Sequence, residues 1–562
     1  MKKGISLAIL ALMLISLAAC GGGGSNQSSS QSSSSSSSST GAPPPGQPTM
    51  NVTLPGPDSN PIPAGTEVTI PASNEPQYGG TVKMITNADT SYPFGLPWNS
   101  ARNNATQPLV PWCECLVLET TGGDIVPWLA TEWEIDPVAL EVRLKLRDDV
   151  WFSDGSKFNA DVVAWNFDMS VAAQAINPSI AGVVARGEYE VAVLMANNTF
   201  SNMILNLLAS HSFCICSREN YEKYGEEYAG EHPVGTGPFI MTEKNPGVGV
   251  RYERNPNYWQ EGKPYLDAFE FVVIADAQTQ INAMLAPPGP NRCDVLNNPV
   301  VEQLSVLAAD PDLTVYAYPG GVSGMYPSSR NPDSPFADLR VRQAVSYALD
   351  RESLAEARGF GYLHPATQYI PKGYYGHFKD DRNLFEFNPE KAKQLLADAG
   401  YPNGFKTTYF AGTTADRDLA TAITKMLGDV GIECEMQFLD AGAYTALRSR
   451  DGWEGLASAG LGQLASMPSS YRLALDLVYN YNVSAQRPDG WDEAFLGLSS
   501  TLYFDQDAAE KAHTLLYENM TMIPIMNTVS ANVTRNSIVD AEYGFWGVGT
   551  QWLPSEMWLR QD

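Results

Sequence analysis

The chain has 562 residues, a formal net charge of −27, 44% apolar residues and seven cysteines. So acidic a chain is a poor partner for nucleic acid or anionic lipid, both of which need basic surface. Its length exceeds what one hydrophobic core can serve and predicts two or three subdomains.

Lys2 and Lys3 precede an apolar run from Ile5 to Leu17, which ends in Leu17-Ala18-Ala19-Cys20. A basic start, a short apolar stretch and small residues make a secretory leader. The run is too short to span a bilayer as a mature helix. A Cys at the cleavage point resembles a bacterial lipoprotein leader, which implies removal of residues 1–19 and lipid on Cys20. The alternative is an ordinary secretory signal with a chance Cys. Loss of Lys2 and Lys3 takes the charge from −27 to −29. Gly21 to Gly24, a serine-rich run from Ser28 to Ser39 and Gly/Pro-rich sequence to about Asn74 offer almost nothing to bury. Residues 20–74 are therefore expected to form a disordered tether, flexible first and stiffer where proline accumulates. No later segment reaches the roughly 18 apolar residues of a transmembrane helix. The body from about Glu75 to Asp562 is expected to be soluble, extracytoplasmic and lipid-anchored near a membrane.

In the body, Gly79 to Ile85 predicts a first strand, with Val82 and Met84 alternating against Lys83. Two Cys-x-Cys pairs follow, Cys113/Cys115 and Cys214/Cys216. Residues i and i+2 of a strand share a face, so two facing pairs would gather four sulfurs. An extracytoplasmic compartment favours disulfides between the pairs over a four-thiolate zinc. Cys293 and Cys434 either pair or stay free. Glu141 to Leu146 alternates strictly and predicts a half-buried strand, with a turn at Trp151 to Gly155. Asn159 is placed to cap a helix from Ala160. Phe269 to Ile274 predicts another strand. Asp338 caps a helix carrying Val341, Val345 and Leu349. Asn388-Pro389 starts a helix that buries Leu395, Leu396 and Ala399 and stops at Gly400. A strand at Gly404 to Phe410, a helix at Ala415 to Val430 and a strand at Ile432 to Leu439 complete a layered α/β unit.

Catalytic signatures are missing. The five histidines have no metal-helix spacing, and there is no His-Glu-x-x-His, Gly-x-Ser-x-Gly, phosphate loop or complete Gly-x-Gly-x-x-Gly. A carboxylate pair of the glycosidase kind is not ruled out by composition. The expectation is a non-enzyme with no cofactor and no resident metal.

Several segments, in order, resemble the extracytoplasmic solute-binding proteins of peptide-type ABC importers, solute-binding family 5. They are Gly79-Gly80-Thr81; Pro127 to Glu134; Leu144 to Val150; Trp151-Phe152-Ser153-Asp154-Gly155 through Val163; Val234-Gly235-Thr236-Gly237-Pro238-Phe239; Arg254-Asn255-Pro256-Asn257-Tyr258-Trp259; Asp338 to Arg351; and Asn388 to Gly400. The resemblance implies an α/β fold: a two-lobed periplasmic-binding-protein-like clamp of type II, peptide-binding class, with an inserted subdomain. By the same analogy lobe I comprises 75–110, 234–337 and 530–562, the insertion 111–233 and lobe II 338–529. A solute bound between the lobes drives hinge closure and passes to ABC permease and ATPase subunits. The protein is expected to work as a monomer. Gly235 and Gly237 are expected to serve backbone turns, and Asp154-Gly155 to be a turn. Arg340, Arg342 and Asp350 are expected to form helix-surface pairs.

Peptide-binding relatives meet a ligand's α-amine with an aspartate shortly after Ala-Gly-Trp. Here the stretch is Ser458-Ala459-Gly460-Leu461-Gly462-Gln463, with no acid between Glu454 and Asp476. Lys372 stands where some dipeptide-binding relatives carry Arg, as a partner for a carboxylate. Candidate cleft residues are Tyr92, Trp98, Asn99, Lys372, Trp453, Gln463, Tyr471 and Trp546. A dipeptide or oligopeptide is the expected ligand. The alternatives are an oligosaccharide, a metal complex, or a receptor that feeds a sensor rather than a transporter.

Overall fold

The computed structural model describes residues 75–86, 93–102, 107–119, 125–136, 138–173, 175, 180–196, 203–371, 377–378, 386–461, 482–499, 505–539, 543–544 and 551–560. All belong to one compact unit, Pro48–Asp562. Residues 1–74, with Cys20 and the tether, lie outside the described residues. No helix among the described residues is long and apolar enough to cross a membrane.

The fold is mixed α/β around one 11-stranded sheet. From one edge its strands run Ile432–Leu439, Phe405–Gly412, Leu456–Leu461, Leu313–Pro327, Ile523–Arg535, Val295–Asn297, Thr81–Thr86, Ala268–Val273, Gly249–Arg254 and Phe239–Asn245. A short strand, His364–Pro365, also pairs with Ile523–Arg535. Thr81–Thr86 is flanked by parallel strands on both sides. It is accordingly apolar on both faces, with Val82 and Met84 in one core and Ile85 in another.

Two long strands hold the halves together. Leu313–Pro327 and Ile523–Arg535 pair antiparallel, regularly from Leu313↔Arg535 to Pro319↔Val529. The register then slips across Gly320-Gly321 and resumes at Val322↔Asn527. The core changes at the same point. Leu313, Ala531 and Val533 pack with Ile85 and Leu296, whereas Val322, Met325, Tyr326, Ile523 and Met526 pack with Val341, Leu396 and Ile432. A Cβ on Gly320 would lie 2.5 Å from Thr528 Oγ1, so the strands approach too closely there for a side chain.

A separate four-stranded antiparallel sheet, Ala130–Asp136, Glu141–Leu146, Glu190–Met195 and Ile180–Gly187, packs against the helix Ala160–Ala172. Val142, Leu144 and Leu146 are buried on its inner face as the alternation requires. Asn159 Oδ1 accepts from Val162 N at 3.0 Å and fixes the start of the helix.

The helix Leu339–Tyr347 starts at Asp338, whose carboxylate accepts from Arg340 N. Pro389–Asp398 starts at Asn388, whose side chain accepts from Lys391 N, and the chain leaves it through Gly400 at φ +94°. Leu395 and Leu396 are buried and Ala399 is partly so. Arg417–Asp429 turns Ala420, Ile423 and Leu427 inward and leads into the strand Ile432–Leu439.

The expected surface pairing holds for Arg340, 2.5 Å from Asp338, and fails for Arg342. Arg342 is buried and donates to the carbonyls of Phe336, Ala337 and Asn519. Asp350 caps the helix Arg351–Gly359. Arg351 is buried too, with Nε on Pro524 O at 2.8 Å and Nη2 on Ser346 Oγ at 2.7 Å. Burial pushes its guanidinium down to about 10. These arginines satisfy carbonyls that water cannot reach. Arg351→Met is therefore expected to cost about 3 kcal/mol, because it strands buried acceptors. Urea unfolding of the variant checks this; an unchanged midpoint would refute it.

Candidate functional site

In open α/β sheets, ligands bind beyond the carboxyl ends of parallel strands. At that end of Thr81–Thr86 and Val295–Asn297 the apolar pattern gives way to a row of neutral polar groups. Thr86 Oγ1 donates to Gln107 Oε1 at 3.4 Å. Gln107 Nε2 donates to Asn297 Oδ1, and Asn297 Nδ2 donates to Asn532 Oδ1 at 2.8 Å. Asn532 Nδ2 is buried with no hydrogen-bond partner among the described residues. Asn297, Asn532 and Tyr316 are register partners and so share one face of the sheet. Their neighbours Leu296 and Val533 occupy the core on the other face. Tyr316 is 39% exposed. The row holds three amides, a hydroxyl and a phenol, with no charged side chain, and Tyr316 lies on the strand that carries the Gly320-Gly321 slip. Such groups suit main-chain amides or hydroxyls better than an ionic head group.

The strand Leu456–Leu461 reaches the same crossing from the other half, where Leu461 pairs with Val322. Gln463 follows two positions later, outside the described residues, as do Tyr92, Lys372, Tyr471 and Trp546. Two described candidates are corrected. Trp98 is buried at 2% exposure, edge-on to Trp165 and Tyr221 at 5.8 and 6.2 Å. Trp453 is buried at 4%, its indole N–H donating to Tyr326 O. Both are core residues, and their aromatic surface is spent on protein. Asn99 is half-buried, its backbone N–H on Leu96 O.

A second constellation lies at the neck of the inserted sheet. Glu114, 5% exposed, accepts four side-chain donors. Trp128 Nε1 (3.0 Å) and the Tyr258 hydroxyl (2.7 Å) meet Oε1; the Thr236 hydroxyl (2.7 Å) and Trp259 Nε1 (2.9 Å) meet Oε2. Arg147 lies over the Trp259 ring at 4.4 Å. Burial pushes the carboxyl up to about 7, while all four donors pull it down. Three of the family-like blocks, around Trp128, Thr236 and Tyr258-Trp259, thus converge on one carboxylate. They hold the chain together rather than facing a solute.

Gly235 and Gly237 belong to the same neck, and their role differs from the expected turn. Neither has positive φ. A Cβ on Gly235 would sit 2.0 Å from Trp112 O, and one on Gly237 would sit 2.5 Å from Trp112 C. Absence of a side chain is what matters here. Asp154-Gly155 is a turn, with Gly155 at φ +86° and Ser156 N on Asp154 Oδ1.

Cys113, Cys115, Cys214 and Cys216 do gather, all buried in one core. No sulfur–sulfur bond is drawn among them in this structure. No group of three or more metal-ligating side chains among the described residues could hold a metal ion. Cys293 and Cys434 lie in different cores, which leaves them too far apart to pair.

The polar row was missed from sequence because its members are far apart along the chain. One local signal existed: asparagine is depleted in strands, yet Asn532 stands in the alternating stretch Val529-Ser530-Ala531-Asn532-Val533.

Residues 124–480, well over half the chain, match the model of the bacterial extracellular solute-binding proteins, family 5. The glutathione-binding protein GsiB of Escherichia coli O1:K1 is 31% identical over 333 residues, covering 57% of this chain and 62% of GsiB. The chain therefore matches less than two thirds of the length of its curated relatives. DppA of Helicobacter pylori, solved in complex with the peptide STSA, superposes with a TM-score of 0.69 at 20% identity, over 86% of this chain and 99% of DppA. HbpA2 of Haemophilus parasuis gives a TM-score of 0.73 at 20% identity, over 86% of this chain and 100% of HbpA2.

Proposed function

This chain belongs to the bacterial extracellular solute-binding proteins of family 5, and we propose that it captures a short peptide between two lobes and delivers it to an ABC importer permease. The polar row Gln107–Asn297–Asn532 carries this reading. It offers neutral donors and acceptors at the carboxyl ends of parallel strands, beside the strands that join the two halves. Peptide main chain presents the complementary groups. Glutathione and STSA, the ligands named for two relatives, are both peptides. The stretch after Leu461 carries no acid before Asp476, so recognition through the backbone is favoured over an ion pair with a free α-amine there.

In this reading lobe I comprises 75–110, 234–337 and 530–562, the insertion 111–233 and lobe II 338–529. The change of core at Gly320-Gly321 supports moving the lobe I boundary back to that slip. Hinge motion then pivots on the two crossing strands. The protein acts as a monomer outside the cytoplasm, held to the membrane through lipid on Cys20.

Native mass spectrometry of the purified chain, before and after unfolding and refolding, tests the ligand class. A lost mass that fragments as peptide supports the proposal; hexose increments or a metal chelate would replace it. Asn297→Leu is expected to weaken peptide binding about tenfold, the loss of roughly one hydrogen bond at 1–1.5 kcal/mol. Unchanged affinity in calorimetry would move the site elsewhere.

A further inference from the structure

The four clustered cysteines occupy a defined place in the chain's path. Cys113 and Cys115 stand where the chain enters the inserted sheet, and Cys214 and Cys216 where it returns. Glu114 and Ile215 are bridged antiparallel, with Ile215 N on Glu114 O at 2.9 Å. The cysteines flank that isolated bridge, two on each segment, and all four pack into the same core. The Cys113 thiol lies within hydrogen-bonding reach of Cys214 and also feels Cys115 and Cys216. The cysteines pack into one core and Ile215 into another, so the paired strands form the wall between them.

We propose that two disulfides, each joining Cys113 or Cys115 to Cys214 or Cys216, clamp the neck of the inserted subdomain. Each bond forms by exchange with the disulfide of an extracytoplasmic thiol oxidoreductase or a small disulfide. Two protein thiols lose two electrons and two protons, and the partner disulfide becomes two thiols. The four cysteines are at most 5% exposed in the folded chain. Burial also holds the thiols of Cys113, Cys115 and Cys216 well above their ordinary range. Exchange therefore occurs before the strands dock, and the finished bonds resist reduction until the neck opens. The proposal shares with the transport reading only a location outside the cytoplasm. Ligand binding measured on the same sample separates a failure of one from a failure of the other.

The test is peptide mapping of the full chain, exported into an oxidising compartment and alkylated under denaturing conditions without reductant. Peptides carrying Cys113/Cys115 should appear only joined to those carrying Cys214/Cys216, with Cys293 and Cys434 alkylated. A reductant should lower the thermal midpoint by several degrees, and it should leave unchanged the midpoint of a variant with all four replaced by Ser. Four alkylated thiols, bonds within Cys113–Cys115 or Cys214–Cys216, or a retained zinc ion would each overturn the clamp. The mapping needs no variant, so a serine variant that fails to fold does not weaken it.

Discussion

Glu114→Ala is expected to lose about 4 kcal/mol of folding stability, because four buried donors lose their acceptor at once. Two of those donors are indole N–H groups, which cannot reverse their role. They come from three separate stretches of chain, so the loss should loosen the neck as a whole. Urea unfolding with far-UV and tryptophan detection reads it directly. A loss below about 1 kcal/mol would mean that water replaces the carboxylate.

The same residue gives the neck a pH signature. Its carboxyl is raised from 4.5 to about 7, so the neutral form favours the folded state. That contribution is complete below about pH 4.5 and is lost as pH rises through about 7. The interval corresponds to about 3 kcal/mol at most. His211 lines the same small cavity and runs the other way. Burial lowers it from 6.5 to about 4, so its share is present above pH 6.5 and lost as pH falls through about 4. The Glu114 slope is therefore cleanest between about pH 6.5 and 8. Wild type should lose stability across that range, and Glu114→Gln should be flat there although less stable overall. Equal slopes would remove Glu114 as the source.

Gly235→Ala is the second large effect, also expected near 4 kcal/mol. The added Cβ meets backbone, 2.0 Å from Trp112 O, and backbone cannot rotate away. Gly155→Ala is the contrast. Gly155 has φ +86° and nothing within 4 Å of a Cβ, so only conformational strain opposes the change. About 1 kcal/mol is expected there. Similar losses at both positions, measured by thermal and urea unfolding, would contradict the distinction between close approach and backbone conformation.

These two glycines mark where the sequence is and is not legible. Local physics was readable. The alternation of Val142, Leu144 and Leu146 gave the inner face of a strand, and Asn159, Asp338 and Asn388 were recognisable caps because the cap interaction spans only a few residues. What depends on distant contacts was not readable. Nothing near Gly235 announces that Trp112 passes against it. No local pattern marks Glu114 between its two cysteines, although it gathers donors from positions up to Trp259. Trp98 and Trp453 resembled cleft aromatics because composition alone does not separate a core ring from a binding platform. The amide row escaped for the same reason: Gln107, Asn297 and Asn532 become neighbours only when the sheet closes.

The position of Ile523–Arg535 has a consequence for biosynthesis. This strand lies between Val295–Asn297 and Leu313–Pro327 in the sheet, yet it is synthesised long after both. Helices and strands between Leu339 and Leu461 can settle as they emerge. The first half of the sheet must wait with two open edges, and open edges pair readily with other chains. Asn532 arrives on the same strand, so the polar row is finished in the step that closes the sheet. An unfinished chain therefore exposes unpaired strand edges until this strand arrives, and the polar row is completed late and all at once.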